Sequence, residues 1–128
     1  MSYSYDEQNI FARILRGEIP NKTVLETDHT LAFEDIEPQR PVHVLVIPKG
    51  PYVNADHFAA EASEAEIVDF VRALGAVCRK TGVAEPVGGN GFRMLSNAGE
   101  DGNQEVPHLH VHVVGGASTG PMLKRANG

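Results

Sequence analysis

HLHVHVV, residues 108–114, alternates histidine with aliphatic residues along its first six positions. An extended chain sends successive side chains to opposite faces, so the stretch reads as a strand with His108, His110 and His112 on one face and Leu109, Val111 and Val113 on the other. The aliphatic face is suited to packing on a helix. The imidazole face is not one that folding alone would select, because an imidazole is costly to bury without partners and no better than threonine on an exposed strand. Three in register therefore point to a functional surface.

The segments around this strand complete a small α+β pattern. GFRMLSN (91–97) reads as a strand joined to it by the Gly-containing link AGEDGNQEVP. Earlier in the chain, KTVLET (22–27), TLAFED (30–35) and VHVLVIP (42–48) read as three more strands. The two-residue link Asp28-His29 is too short for a parallel crossover, so these strands form an antiparallel meander. Two helices are expected. EQNIFARILR (7–16) carries Ile10, Phe11, Ile14 and Leu15 at helical spacing, with a stop at Gly17 and Pro20. SEAEIVDFVRALGAVCRKTG (63–82) opens with Ser63 and Glu66 in capping-box spacing and closes with basic residues and Gly82. Its apolar face is expected to comprise Ile67, Phe70, Val71, Leu74, Val77 and Cys78, with Gly75 allowing another element to approach closely. Strands grouped rather than alternating with helices predict one α+β domain over residues 1–128, a five-stranded antiparallel sheet with two helices.

Composition narrows the partners. Lys and Arg number 11 against 17 Asp and Glu, a formal charge of −6, so the molecular field repels a polyanion and no nucleic-acid partner is expected. A small phosphate ligand remains compatible, since a few local donors act inside a Debye length of about 8 Å. The single Cys78 cannot form an intrachain disulfide and reads as a small buried apolar side chain. The N-terminal MSYSYDEQNIFAR lacks a basic segment followed by a long apolar run, and no later window reaches the apolar length of a membrane span. The expectation is a cytoplasmic protein with no membrane partner.

The row of imidazoles admits two chemistries. Zinc holds its ligands about 2.0–2.1 Å away in a tetrahedral array, whereas alternate strand residues lie about 6.6 Å apart. At most two of the three histidines can share one ion, which would need a further ligand such as His43 or Asp101. The other chemistry is nucleophilic and general-acid catalysis at phosphorus, where imidazole attacks near neutral pH and neighbouring donors neutralise the phosphoryl oxygens. The central His110 can attack with its second ring nitrogen held by a backbone carbonyl, while Gly99, Gly102 and Asn103 can bring backbone amides near an anion. His43, inside the apolar run VHVLVIP, needs a polar neighbour, and the triad strand is the natural candidate.

His108-x-His110-x-His112 followed by Val113-Val114 resembles the signature of the histidine-triad (HIT) family. The likeness extends through IFARILRGEIP, LAFEDIEPQRPVHVLVIPK, GFRMLSNAGEDGNQEVPHLHVHVVGG and the GPML near the end, and is closest to the Hint branch of nucleoside phosphoramidases in its bacterial form. The resemblance implies a two-fold homodimer with a continuous sheet and a purine nucleotide substrate, with no cofactor and no catalytic metal. It implies that His110 is the nucleophile, forming a nucleotidyl-histidine intermediate on phosphoramidates or aminoacyl-adenylates of AMP type. His43, His108 and His112 match the supporting histidines, His112 being best placed to assist the leaving group. Asp35 matches the acid that binds the ribose hydroxyls, and Ile10, Phe11, Ile14, Phe33, Ile36 and Leu45 match the base pocket. Asn97 and Gln104 match phosphate-side contacts. Two positions depart from many Hint proteins: Pro51 stands where a histidine is common, and Glu105 where a serine hydroxyl can donate. An ionised Glu105 cannot donate and bears on the leaving group instead. The alternatives are dinucleoside polyphosphate hydrolysis with the same histidines, which the Hint-like Gly115-Gly116 disfavours, and a noncatalytic nucleotide-binding module, which an intact His110 disfavours.

Overall fold

The structure is a computed structural model and describes residues 3–123. Five strands form one antiparallel sheet in the order β1-β2-β3-β5-β4, with β1 Thr23–Glu26, β2 Thr30–Glu34, β3 Val42–Pro48, β4 Phe92–Leu95 and β5 Val111–Gly115. The meander and the antiparallel sheet are as the sequence predicts. The register pairs Leu45 with His112 and Val44 with Val113, so the two faces of β3 and β5 continue across the ladder.

The alternation along β3 and β5 separates two apolar layers. Val44, Val46, Leu109 and Val113 belong to the core that includes Phe70, Val77 and Cys78 of helix α3, Glu64–Lys80. Leu31, Phe33, Leu45 and Ile47 pack on the opposite side with Phe11 and Ile14 of helix α1, Ile10–Leu15. The histidine-bearing face of β5 looks toward α1, where Phe11 meets the His110 ring edge-on at 4.9 Å between centroids.

Several local features differ from the expectation. Helix α1 starts at Ile10 rather than at residue 7, because the Asn9 side chain accepts from the Ala12 N–H and caps it there. The β5 ladder begins at Val111, so His108 and His110 precede the strand rather than lie within it. A helix absent from the sequence reading, α2 Ala55–Glu61, is capped by the Asn54 side chain; seven residues are too few to display a helical period. Helix α3 has the expected capping box between Ser63 and Glu66. Its Val71, expected in the apolar face, is 61% exposed, and a Cβ built on Gly75 meets nothing within 4 Å. No element of this chain approaches that glycine among the described residues.

Candidate active site

The central feature is a chain of hydrogen bonds that determines which nitrogen of each ring carries a proton. His110 Nδ1 lies 2.7 Å from the His108 carbonyl, which can only accept, so Nδ1 carries the proton and Nε2 presents its lone pair. The Gln39 amide can only donate, and it lies 3.1 Å from His43 Nδ1. A neutral His43 therefore carries its proton on Nε2, which donates across 2.9 Å to His112 Nδ1 and leaves His112 with Nε2–H. Neighbouring rings, with centroids 5.1 Å apart, thus offer opposite functions: a free lone pair on His110 and a proton on His112.

Burial keeps the triad neutral. Desolvation, with a smaller contribution from His110, lowers His108 to about 4 against the opposing effect of its bond to the Pro48 carbonyl. Desolvation and the facing His110 and His43 rings lower His112 to about 4 against the pull of Asp35. His110 is also lowered, chiefly by desolvation, with the His108 carbonyl, Asp35 and Glu105 opposing. A neutral imidazole is the nucleophilic form, so desolvation prepares His110 for attack.

The structure brings most of the other expected residues to this side of the sheet. Asp35 Oδ2 lies 3.4 Å from His43 Nε2, while its Oδ1 accepts from the Glu37 amide at 2.8 Å. Phe11, Ile14, Phe33 and Leu45 are buried beneath, whereas Ile10 is 44% and Ile36 92% exposed. Ile36 follows Asp35 directly as an uncovered apolar side chain at the rim. Asn97 is half-buried. The amide of Gln104 is fully engaged: Nε2 donates to the Val53 and Val106 carbonyls at 2.6 and 3.0 Å, and Oε1 accepts from the Gly99 amide at 3.2 Å. Gln104 therefore closes the Gly99–Gln104 loop. A side chain at Gly102 would drive its Cβ into the Ala98 carbonyl oxygen, and Asn103 adopts a left-handed φ of 55°, so the tight turn depends on both. Glu105 is exposed, close enough for its charge to act on His110.

Two contacts to the triad were missed by the sequence reading. The Ser96 hydroxyl donates to the His110 carbonyl at 2.7 Å. The Tyr5 hydroxyl lies 2.6 Å from His108 Nδ1, across 103 residues of chain. The β4–β5 register could have suggested Ser96, but no pattern links Tyr5 to the triad.

Among the described residues, one group of ligand atoms is near enough for a metal ion, on Asp35, His43 and His112, all within 4.8 Å of one another. It joins one triad histidine to His43, one of the two further ligands named from the spacing, and does not include Asp101. An ion there would displace the proton shared by His43 and His112.

Comparison with known proteins gives the family. Residues 16–119 match the HIT domain. A 13.2 kDa HIT-like protein of Azospirillum brasilense is 61% identical over 125 residues, covering 98% of this chain and 99% of that protein. The purine nucleoside phosphoramidase of Escherichia coli K12 is 37% identical over 117 residues, 91% of this chain and 94% of that protein. Among solved structures, a histidine triad protein from Clostridium difficile superposes with a TM-score of 0.78 at 34% identity, covering 94% of this chain and all of the other. A HIT family hydrolase from Clostridium thermocellum gives 0.76 at 34% identity, with 93% and 99% covered. With the matched domain spanning most of the chain and the histidine row set out as described, this protein belongs to the HIT family.

Proposed function

We propose that this protein is a purine nucleoside phosphoramidase, hydrolysing AMP-type phosphoramidates or aminoacyl-adenylates through a nucleotidyl-His110 intermediate. The observation that carries the reading is the pair of opposed tautomers: a lone pair on His110 Nε2 beside a proton on His112 Nε2. In the first step His110 Nε2 attacks phosphorus, and the P–N bond breaks with its electron pair going to the departing nitrogen. That nitrogen takes a proton at His112. In the second step water attacks the nucleotidyl-histidine and gives a proton to His112, replacing the one lost there, as the nucleotide leaves and His110 regains its lone pair.

The remaining residues divide between recognition and support. Asp35 receives the ribose hydroxyls, the purine covers Ile36 and Ile10 above Phe11, Ile14, Phe33 and Leu45, and Asn97 with the loop that Gln104 closes faces the phosphate. We further propose a cytoplasmic homodimer. Phe92 and Met94 of the free edge strand β4 pair with Gly115 and Val113, on the α3 side of the sheet, where Val68 and Val71 of α3 are also exposed. These exposed apolar side chains and the open Gly75 suit a second copy.

A panel of adenosine and guanosine phosphoramidates, an aminoacyl-adenylate and a dinucleoside polyphosphate, assayed with and without chelator, tests the reading. The phosphoramidates should be turned over and should survive chelation. His110→Ala should retain AMP binding and lose turnover; more than a few per cent of wild-type activity in that variant refutes the nucleophile. Preference for the polyphosphate would replace the substrate class, and AMP binding with no turnover of any member would make the protein a binding module.

A further inference from the structure

We infer that Tyr5 is a positioning residue for the triad: its hydroxyl holds His108 in one tautomer and orientation, and His108 in turn holds His110. The inference rests on the proposed phosphoramidase reading for its kinetic consequence. Tyr5 lies outside the residues that match the HIT domain, on the segment preceding α1.

The geometry leaves His108 no freedom. Its ring is 0% exposed, and Nε2 lies 2.8 Å from the Pro48 carbonyl, an acceptor, so the proton is on Nε2. Nδ1 must then accept, and the Tyr5 hydroxyl at 2.6 Å is its donor. Burial raises the Tyr5 hydroxyl above its ordinary value, so it keeps the proton it donates. Without that hydroxyl a buried Nδ1 would be unsatisfied, and protonating it would only make a buried donor with no acceptor, so relief requires the ring to turn away from Pro48. A turned ring disturbs the main chain of His108, whose carbonyl is the group that fixes His110 Nδ1.

The segment bearing Tyr5 is anchored apart from this contact. The Tyr3 hydroxyl donates to Asp56 at 2.7 Å and its ring stacks on His57 at 4.9 Å. Arg16 Nη1 donates to the Glu7 carbonyl at 2.7 Å. Tyr3→Phe thus loosens the segment without touching the triad, which separates docking of the segment from the specific role of Tyr5.

The test uses the full chain as wild type, Tyr5→Phe and Tyr3→Phe, with an adenosine phosphoramidate as substrate and ¹⁵N NMR of the imidazoles as a second readout. Tyr5→Phe should lower kcat about tenfold with KM changed less than about twofold, as expected when a buried hydrogen bond that orients the nucleophile is lost. Tyr3→Phe should keep wild-type kcat. In Tyr5→Phe the His108 Nδ1 resonance should move toward that of an unbonded imine nitrogen, and the His110 ring signals should move with it. Wild-type kcat in Tyr5→Phe, or His110 signals unmoved by the substitution, overturns the inference. If the wild type turns over no phosphoramidate, the proposed function fails and the His110 signals alone decide the positioning role. If Tyr5→Phe does not fold, the wild-type spectrum decides: a His108 protonated on Nδ1 overturns the assignment.

Discussion

Acidification from pH 7.5 to 5 should destabilise this protein through its buried imidazoles, well before its carboxylates contribute. His108 is lowered from the ordinary 6.5 to about 4 in the folded protein. Between those values the unfolded chain binds a proton that the folded chain refuses, so stability falls as pH falls. The full contribution is present above 6.5, and the loss is complete below about 4. At pH 5 the linkage relation gives a loss of about 2 kcal/mol for His108 alone. His112 acts in the same direction with less weight, its half-buried ring being partly screened by solvent. The carboxyls of Glu66 and Asp69 are lowered from 4.5 and 3.8 by the hydroxyl and amide bonds they accept, which outweigh their burial. Their stabilisation is therefore present at pH 5 and is lost only under stronger acid. With a urea m-value of about 2 kcal/mol/M, the denaturation midpoint should fall by about 1 M between pH 7.5 and 5. The measurement is urea unfolding followed by circular dichroism at one protein concentration, paired with an NMR titration of the His108 ring. A midpoint that stays constant over this range, or a His108 resonance that titrates near 6.5, would show that the triad is not held neutral by burial. The reasoning about the nucleophile would then lose its electrostatic basis.

Gln104→Ala removes three hydrogen bonds that close the Gly99–Gln104 loop and should weaken AMP binding about tenfold by calorimetry while lowering stability by about 1–3 kcal/mol; an unchanged Kd separates the loop from the phosphate. Glu105→Ser removes a carboxylate whose charge acts on His110, so kcat/KM for an alkylamine phosphoramidate should fall about tenfold relative to that for a substrate with an anionic leaving side. Equal changes for the two substrates would exclude Glu105 from selecting the leaving group. Light scattering should give a mass near twice 13.8 kDa, and Met94→Glu should shift it toward the monomer; a wild-type monomer across the micromolar range counts against the dimer, and an unaffected dimer in Met94→Glu moves its interface elsewhere.

Local pattern alone determined the sheet and the centre of the site. The period of two in VHVLVIP, and in HLHVHVV from Val111 onward, commits each residue to a face before any partner is known, because pleating leaves no other choice. The capping box at Ser63 and Glu66 is likewise a property of four consecutive residues, and α3 begins where it predicts. His110 held by a backbone carbonyl, and His43 partnered by the triad, also followed from the cost of burying an unpaired imidazole. Tertiary structure decided what depends on contacts between distant segments. Helix α2 is too short to announce itself, and Val71 keeps helical spacing yet faces solvent, since periodicity defines a stripe but not how much of it another element covers. The tautomers of His43 and His112 are set by Gln39 and by each other across the sheet, and that of His108 by Tyr5 and Pro48. A proton on a ring nitrogen is placed by whichever group lies within hydrogen-bond distance, and that distance exists only once the chain has folded.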